Sequence, residues 1–101
     1  MSDAGDPAAR VENRLRRVID PELGENVVDL GLIYAIAVAP DGAARVTMTT
    51  TMKGCPATVI LRDAVEACVL AVEGVTSVDV DLVYDPPWSP GMMAAGTAAR
   101  F

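Results

Sequence analysis

One thiol stands where a threonine-rich stretch gives way to a helix-starting proline, in Thr49-Thr50-Thr51-Met52-Lys53-Gly54-Cys55-Pro56. Pro56 suits the first helical position, because its missing N–H would have no intrahelical partner there and its φ is already helical. Cys55 is then the expected N-cap, its sulfur facing unpaired N–H groups and the positive end of the helix dipole, with Lys53 nearby. Those influences favour the thiolate, the form that attacks electrophiles and binds soft metals. A small N-cap residue with no chemistry would fit the same spacing. Two acidic spots also lie outside obvious solvent faces, Asp20-Pro21-Glu22 and Asp29-Leu30-Gly31. Asp29 interrupts an apolar run, so its carboxylate must find partners. Either aspartate could fix a local turn, or join Cys55 to tune the thiol or share a metal.

Composition limits that chemistry. The 101 residues make one domain, 1–101, with an ordered core expected over about 7–93 and flexible ends. Half are apolar and four are aromatic, so the core is built mainly from aliphatic side chains. A net charge of −6 argues against a nucleic-acid binder, which would show a basic face. The absence of histidine excludes a Cys-His-Asp nucleophilic site, and one exposed thiol cannot supply the four ligands of a closed zinc site. A metal at Cys55 would need further ligands from a second chain, a partner or a small thiol. Two cysteines without a C-x-x-C pair make no disulfide framework. Neither a signal peptide nor a membrane-length apolar run occurs, so a cytoplasmic location with reduced thiols is expected.

The elements that must position these groups follow from spacing. Asp6-Pro7 reads as an N-cap and first helical residue, with Val11, Leu15, Val18 and Ile19 on one stripe and Arg10, Arg14, Arg16 and Arg17 mostly on solvated faces. Asp20 precedes Pro21, so the helix ends near Ile19. A strand over Leu32–Val38, the turn Pro40-Asp41-Gly42 and a strand over Arg45–Thr51 form a hairpin. In the second strand Val46, Met48 and Thr50 face one way, and Arg45, Thr47, Thr49 and Thr51 the other. A helix from Pro56 to about Glu73 carries Leu61, Val65, Cys68 and Val72 on one stripe, which makes Cys68 a core residue; Gly74 closes it. A last strand alternates Val78, Val80, Leu82 and Tyr84 with Asp79 and Asp81. The result is a two-layer α+β sandwich in the order α-β-β-α-β, with helices on one face of a small mixed sheet. Beyond it, three prolines in Pro86-Pro87-Trp88-Ser89-Pro90 stiffen a loop, and Trp88 either covers the core or anchors a partner together with Met92 and Met93.

Four ordered motifs resemble a known family: Asp20-Pro21-Glu22-Leu23-Gly24; Val28-Asp29-Leu30-Gly31-Leu32-Ile33-Tyr34; Thr49 to Pro56; and Val83 to Met93. Together they are similar to the metal–sulfur cluster assembly factors that include SufT and PaaD, over roughly Val11 to Met93. The resemblance implies the α+β fold of iron–sulfur assembly domains and a role in maturing or delivering iron–sulfur clusters to apo-proteins. It assigns the key cysteine to Cys55, the motif acids to Asp20, Glu22 and Asp29, and the motif threonine to Thr51. It also implies assembly-system partners, self-association into a homodimer, and a cluster or iron held only transiently. A cysteine-rich C-terminal extension of the PaaD branch is absent, and Gly91 replaces the usual acidic residue of the tail motif. Three readings stand at this point: an accessory factor working through Cys55, a pure adaptor docking through Trp88, Met92 and Met93, and a thiol-dependent enzyme.

Overall fold

A computed structural model describes residues 6–51 and 57–99. Helix α1, Pro7–Leu15, begins as its sequence dictates: Ala8 N–H donates to the Asp6 carboxylate at 3.1 Å, and Val11 and Leu15 are buried. It ends before Ile19. Residues 19–20 instead form a short strand β1, Ile19–Asp20, paired antiparallel with β2, Glu25–Asn26. The extended bias before Pro21 reaches back through both residues, so Ile19 leaves the helical stripe and is 51% exposed, while Val18 stays in the core.

Strands β3, Ile33–Val38, and β4, Ala43–Met48, form the expected hairpin, and β5, Ser77–Leu82, joins β4 in parallel, giving the order β3-β4-β5. The turn is closed by Asp41, which accepts from Ala43 N–H at 3.0 Å. Helix α2, Ala57–Leu70, crosses between β4 and β5. Leu61, Val65, Val69 and Val72 from its side of the molecule meet Ala44, Val46, Met48 and Val80 from the sheet. The other sheet face is a solvated charge ladder, where Arg45 lies 3.3 Å from Asp79 and 3.8 Å from Asp81. Pairs this exposed contribute about 0–1 kcal/mol. Among the described residues, no helix is long and apolar enough to cross a membrane.

Two further side chains depart from the sequence reading. Thr49 is fully buried rather than outward-facing, because β4 ends at Met48 and the chain leaves the pleat with Thr49 N–H donating to Leu32 C=O at 2.8 Å. Cys68 is half-buried at the edge of the core, where Val69 takes the central place. The Cys68 thiol donates to Arg14 C=O at 3.1 Å. Burial pushes this thiol above its ordinary value of 9.0, and the nearby Arg14 and Arg17 guanidiniums pull it only partly back. The folded chain therefore keeps a proton that the unfolded chain releases above that value, so this contribution to stability is lost as pH rises through the folded pKa. At pH 8 iodoacetamide should modify Cys68 about tenfold or more slowly in the folded chain than in urea, from burial and protonation together. Mass spectrometry of the modified peptide checks this, and equal rates would contradict the packing described.

The proline-rich tail folds back on the body. Trp88 Nε1–H donates to Leu30 C=O at 2.7 Å, and Trp88 and Met93 pack against the core. Ala94 N–H donates to Asp29 C=O at 2.8 Å, and the Tyr34 hydroxyl donates to Pro86 C=O at 2.8 Å. A 3-10 turn at Pro90–Met92 and a four-residue helix α3, Ala95–Ala98, follow, with Thr97 buried.

Candidate functional site

The expectations for Lys53, Gly54, Cys55 and Pro56 fall outside the described residues. What flanks them is a polar cluster of three hydroxyls. Thr50, just past β4, sits 3.1 Å from the Tyr84 hydroxyl and 3.4 Å from the Thr58 hydroxyl, and Thr58 belongs to the first turn of α2. The cluster thus ties the end of one strand, the start of the long helix and the chain leaving β5. Thr50 and Thr58 are each buried to 7% exposure, where hydroxyls are stable only when paired.

The first acidic motif converges on this cluster. Asp20, Pro21 and Glu22 line a narrow cleft with Thr50, Thr58 and Leu61. Asp20 is only 3% exposed, and its Oδ1 accepts from the backbone N–H groups of Glu22 at 2.7 Å and Leu23 at 3.4 Å. Its carboxylate fixes the turn around Pro21 and so presents Glu22, which is exposed at the mouth.

The second acidic motif has another neighbourhood. Asp29 Oδ2 accepts from Asn26 Nδ2 at 3.0 Å while Asn26 Oδ1 accepts from Asp29 N–H at 2.9 Å, a reciprocal pair that closes the turn. Arg16 Nε lies 3.8 Å from Asp29 Oδ1. Asp29 does not line the Asp20 cleft, and neither does Thr51, which is half-exposed at a bend one residue beyond Thr50. The structure therefore brings together Asp20, Glu22 and Thr50 and leaves Asp29 and Thr51 outside that cleft. The sequence places Thr50 and Tyr84 in strands without a site role and offers no reading of Thr58 or Asn26. A signal existed for Thr58, a hydroxyl in the first turn of a helix on its buried side. Among the described residues, no group of three Cys, Asp or Glu side chains is arranged to hold a metal ion.

The architecture and the cleft define a small α+β domain whose polar groups gather at the start of its crossover helix. The model of the iron–sulfur cluster assembly protein family matches residues 8–80. An Fe-S protein maturation auxiliary factor of Porphyromonas gingivalis is 46% identical over 80 residues, 79% of this chain and 76% of that protein. The Fe-S protein maturation auxiliary factor SufT of Staphylococcus aureus is 39% identical over 77 residues, 76% of this chain and 88% of that one. The crystal structure of a domain of unknown function from Bacillus anthracis superposes with a TM-score of 0.89 at 33% identity, covering 93% of this chain and 90% of its own. The chain belongs to the iron–sulfur cluster assembly protein family.

Proposed function

We propose that this protein is an accessory factor in iron–sulfur protein maturation, and that it handles cluster or iron as cargo through Cys55. The family membership carries the first part. The second is supported by the cleft of Asp20, Glu22, Thr50 and Thr58, which lies against the first turn of the helix whose sequence begins just after Cys55. Carboxylate and hydroxyl oxygens beside a thiolate suit brief contact with iron better than closed, permanent ligation. Other ligands come from an assembly protein, the apo-protein client or a second copy, so the cargo is passed on rather than retained. Asp29 and Thr51 act, in this reading, through the turns they occupy. The site of action is the cytoplasm, where the thiol stays reduced.

The decisive comparison is Cys55→Ser against the natural chain, each supplied to cells lacking their own factor of this family, with a cluster-dependent enzyme assayed. Loss of rescue to the level of the empty control is the expected result. Full rescue by Cys55→Ser would sink the thiol-centred mechanism and leave only a docking role.

A further inference from the structure

Among the described residues, strand β3 is an edge strand and its cover is incomplete. None of its six residues is fully buried, whereas alternate residues of β4 are. A groove of about 520 Å³ runs beside it, with an apolar lining from Ala8, Ala9, Val28, Ile33, Ile36 and Met92. The lining takes in residues 33–36; a bulge between Ile33 and Ala35 interrupts the alternation there, and beyond it Ala35 and Ile36 belong to opposite sheet faces. Only a groove that faces the strand edge-on meets both.

The ladder shows which backbone groups that edge offers. Ala39 N–H donates to Ala43 C=O, in the same register that pairs Val38 with Ala44 and Ala37 with Arg45. Antiparallel pairs alternate, so Ala35 and Ala37 direct their N–H and C=O groups toward β4, and Ile36 and Val38 direct theirs away from it. The strand IYAIAV carries no charge or proline to discourage strand addition, and the bulge in its ladder lies between Ile33 and Ala35, short of Ile36 and Val38. At one end of the groove the tail forms a wall. Gly31, at φ +79°, lets the Met92 backbone approach so closely that a Cβ would meet its carbonyl group, and Met92 itself remains 37% exposed.

We propose that this groove takes an extended segment of a partner protein, added as a fourth strand to β3, with apolar side chains toward Ile36 and Met92 and a basic residue toward α1. Charge selects the occupant. Among the described residues, the charged side chains lining the groove are the carboxylates of Asp6 and Glu12, with Arg16 reaching Glu12 from outside the lining at 3.1 Å. Antiparallel pairing of two copies through β3 would bring these acidic walls together on chains that each carry −6. A basic strand meets no such opposition, and main-chain hydrogen bonds supply affinity while alternate side chains supply selectivity.

The proposal rests on the accessory-factor reading only for the source of the segment; the binding test needs neither Cys55 nor cluster. The probe is a synthetic peptide, acetyl-KVTVTVK-amide, titrated into the ¹⁵N-labelled chain, with acetyl-EVTVTVE-amide as its counterpart. Binding of the lysine peptide should slow amide exchange at Ile36 and Val38 several-fold and leave Ala35 and Ala37 unchanged. The double variant Asp6→Asn, Glu12→Gln, which keeps the helix cap, should weaken the lysine peptide at least threefold at low salt and narrow its advantage over the glutamate peptide. Perturbation confined to the β5 edge, or equal binding of both peptides, would overturn the proposal. Protection of Ile36 and Val38 in a dimer without peptide would overturn it as well, by assigning the edge to a second copy. Loss of peptide binding with Cys55-dependent rescue intact would remove the groove and leave the thiol mechanism standing.

Discussion

Gly31→Ala should destabilise the protein by about 3 kcal/mol, read as a lowered urea midpoint with an unchanged slope. Two effects add. The residue sits at φ +79°, where a Cβ costs about 1–2 kcal/mol in backbone strain alone. The added carbon would also lie 2.8 Å from the Met92 carbonyl carbon and 2.9 Å from its Cβ. Neither is the loose end of a flexible side chain, so the tail must move away from Asp29 and Leu30. Gly24→Ala is the internal control. Its φ is +71°, yet nothing lies within 4 Å of the added carbon, so only the strain remains and the cost should be about 1–2 kcal/mol. Equal losses at the two positions would show that the tail is not seated against Gly31.

Trp88→Ala should cost about as much, roughly 3 kcal/mol, by circular dichroism in urea. The indole is half-buried against the core, and its N–H satisfies the carbonyl of Leu30, a residue with no exposed surface. Trp88→Phe separates the contributions: it keeps most of the packing and leaves that carbonyl unpaired, for a smaller loss of about 1–2 kcal/mol. A Trp88→Ala variant as stable as the natural chain would mean that the indole is held out for a partner. The structure also changes how a binding defect in Trp88→Ala should be read. Such a defect would follow from a loosened tail, whereas Met92, exposed at the groove, can be truncated with less damage to the fold.

The sequence reading succeeded where one rule dominated. Asp6 and Pro7 start α1, Pro40-Asp41-Gly42 turns the hairpin, and the alternation around Val80 marks β5, since each follows from local stereochemistry or a clean period. It failed where a tertiary partner decides the outcome. The hairpin of β1 and β2 is two residues a side, too short for any period, and depends on Asp20 capping the turn between. Cys68 and Val69 fit an apolar stripe about equally well, and the position of α1 beside α2 places Val69 inward and Cys68 at the edge. For the candidate site, the acidic motifs were legible as residues but not as neighbours. Only the folded chain separates Asp20, beside Thr50 and Thr58, from Asp29, which is tied to Asn26 and Arg16.

The docked tail also matters for modular reuse of this domain. The family match ends at residue 80, before the segment that closes over Leu30 and Asp29. Cutting at that border, to graft the domain into a fusion or a minimal version, would remove Asp81 and Leu82 from the end of β5 and strip Trp88, Met93 and Thr97 from the body. The packed tail reaches at least to Thr97, so a transplanted copy should carry its proline-rich tail to keep its interior dry.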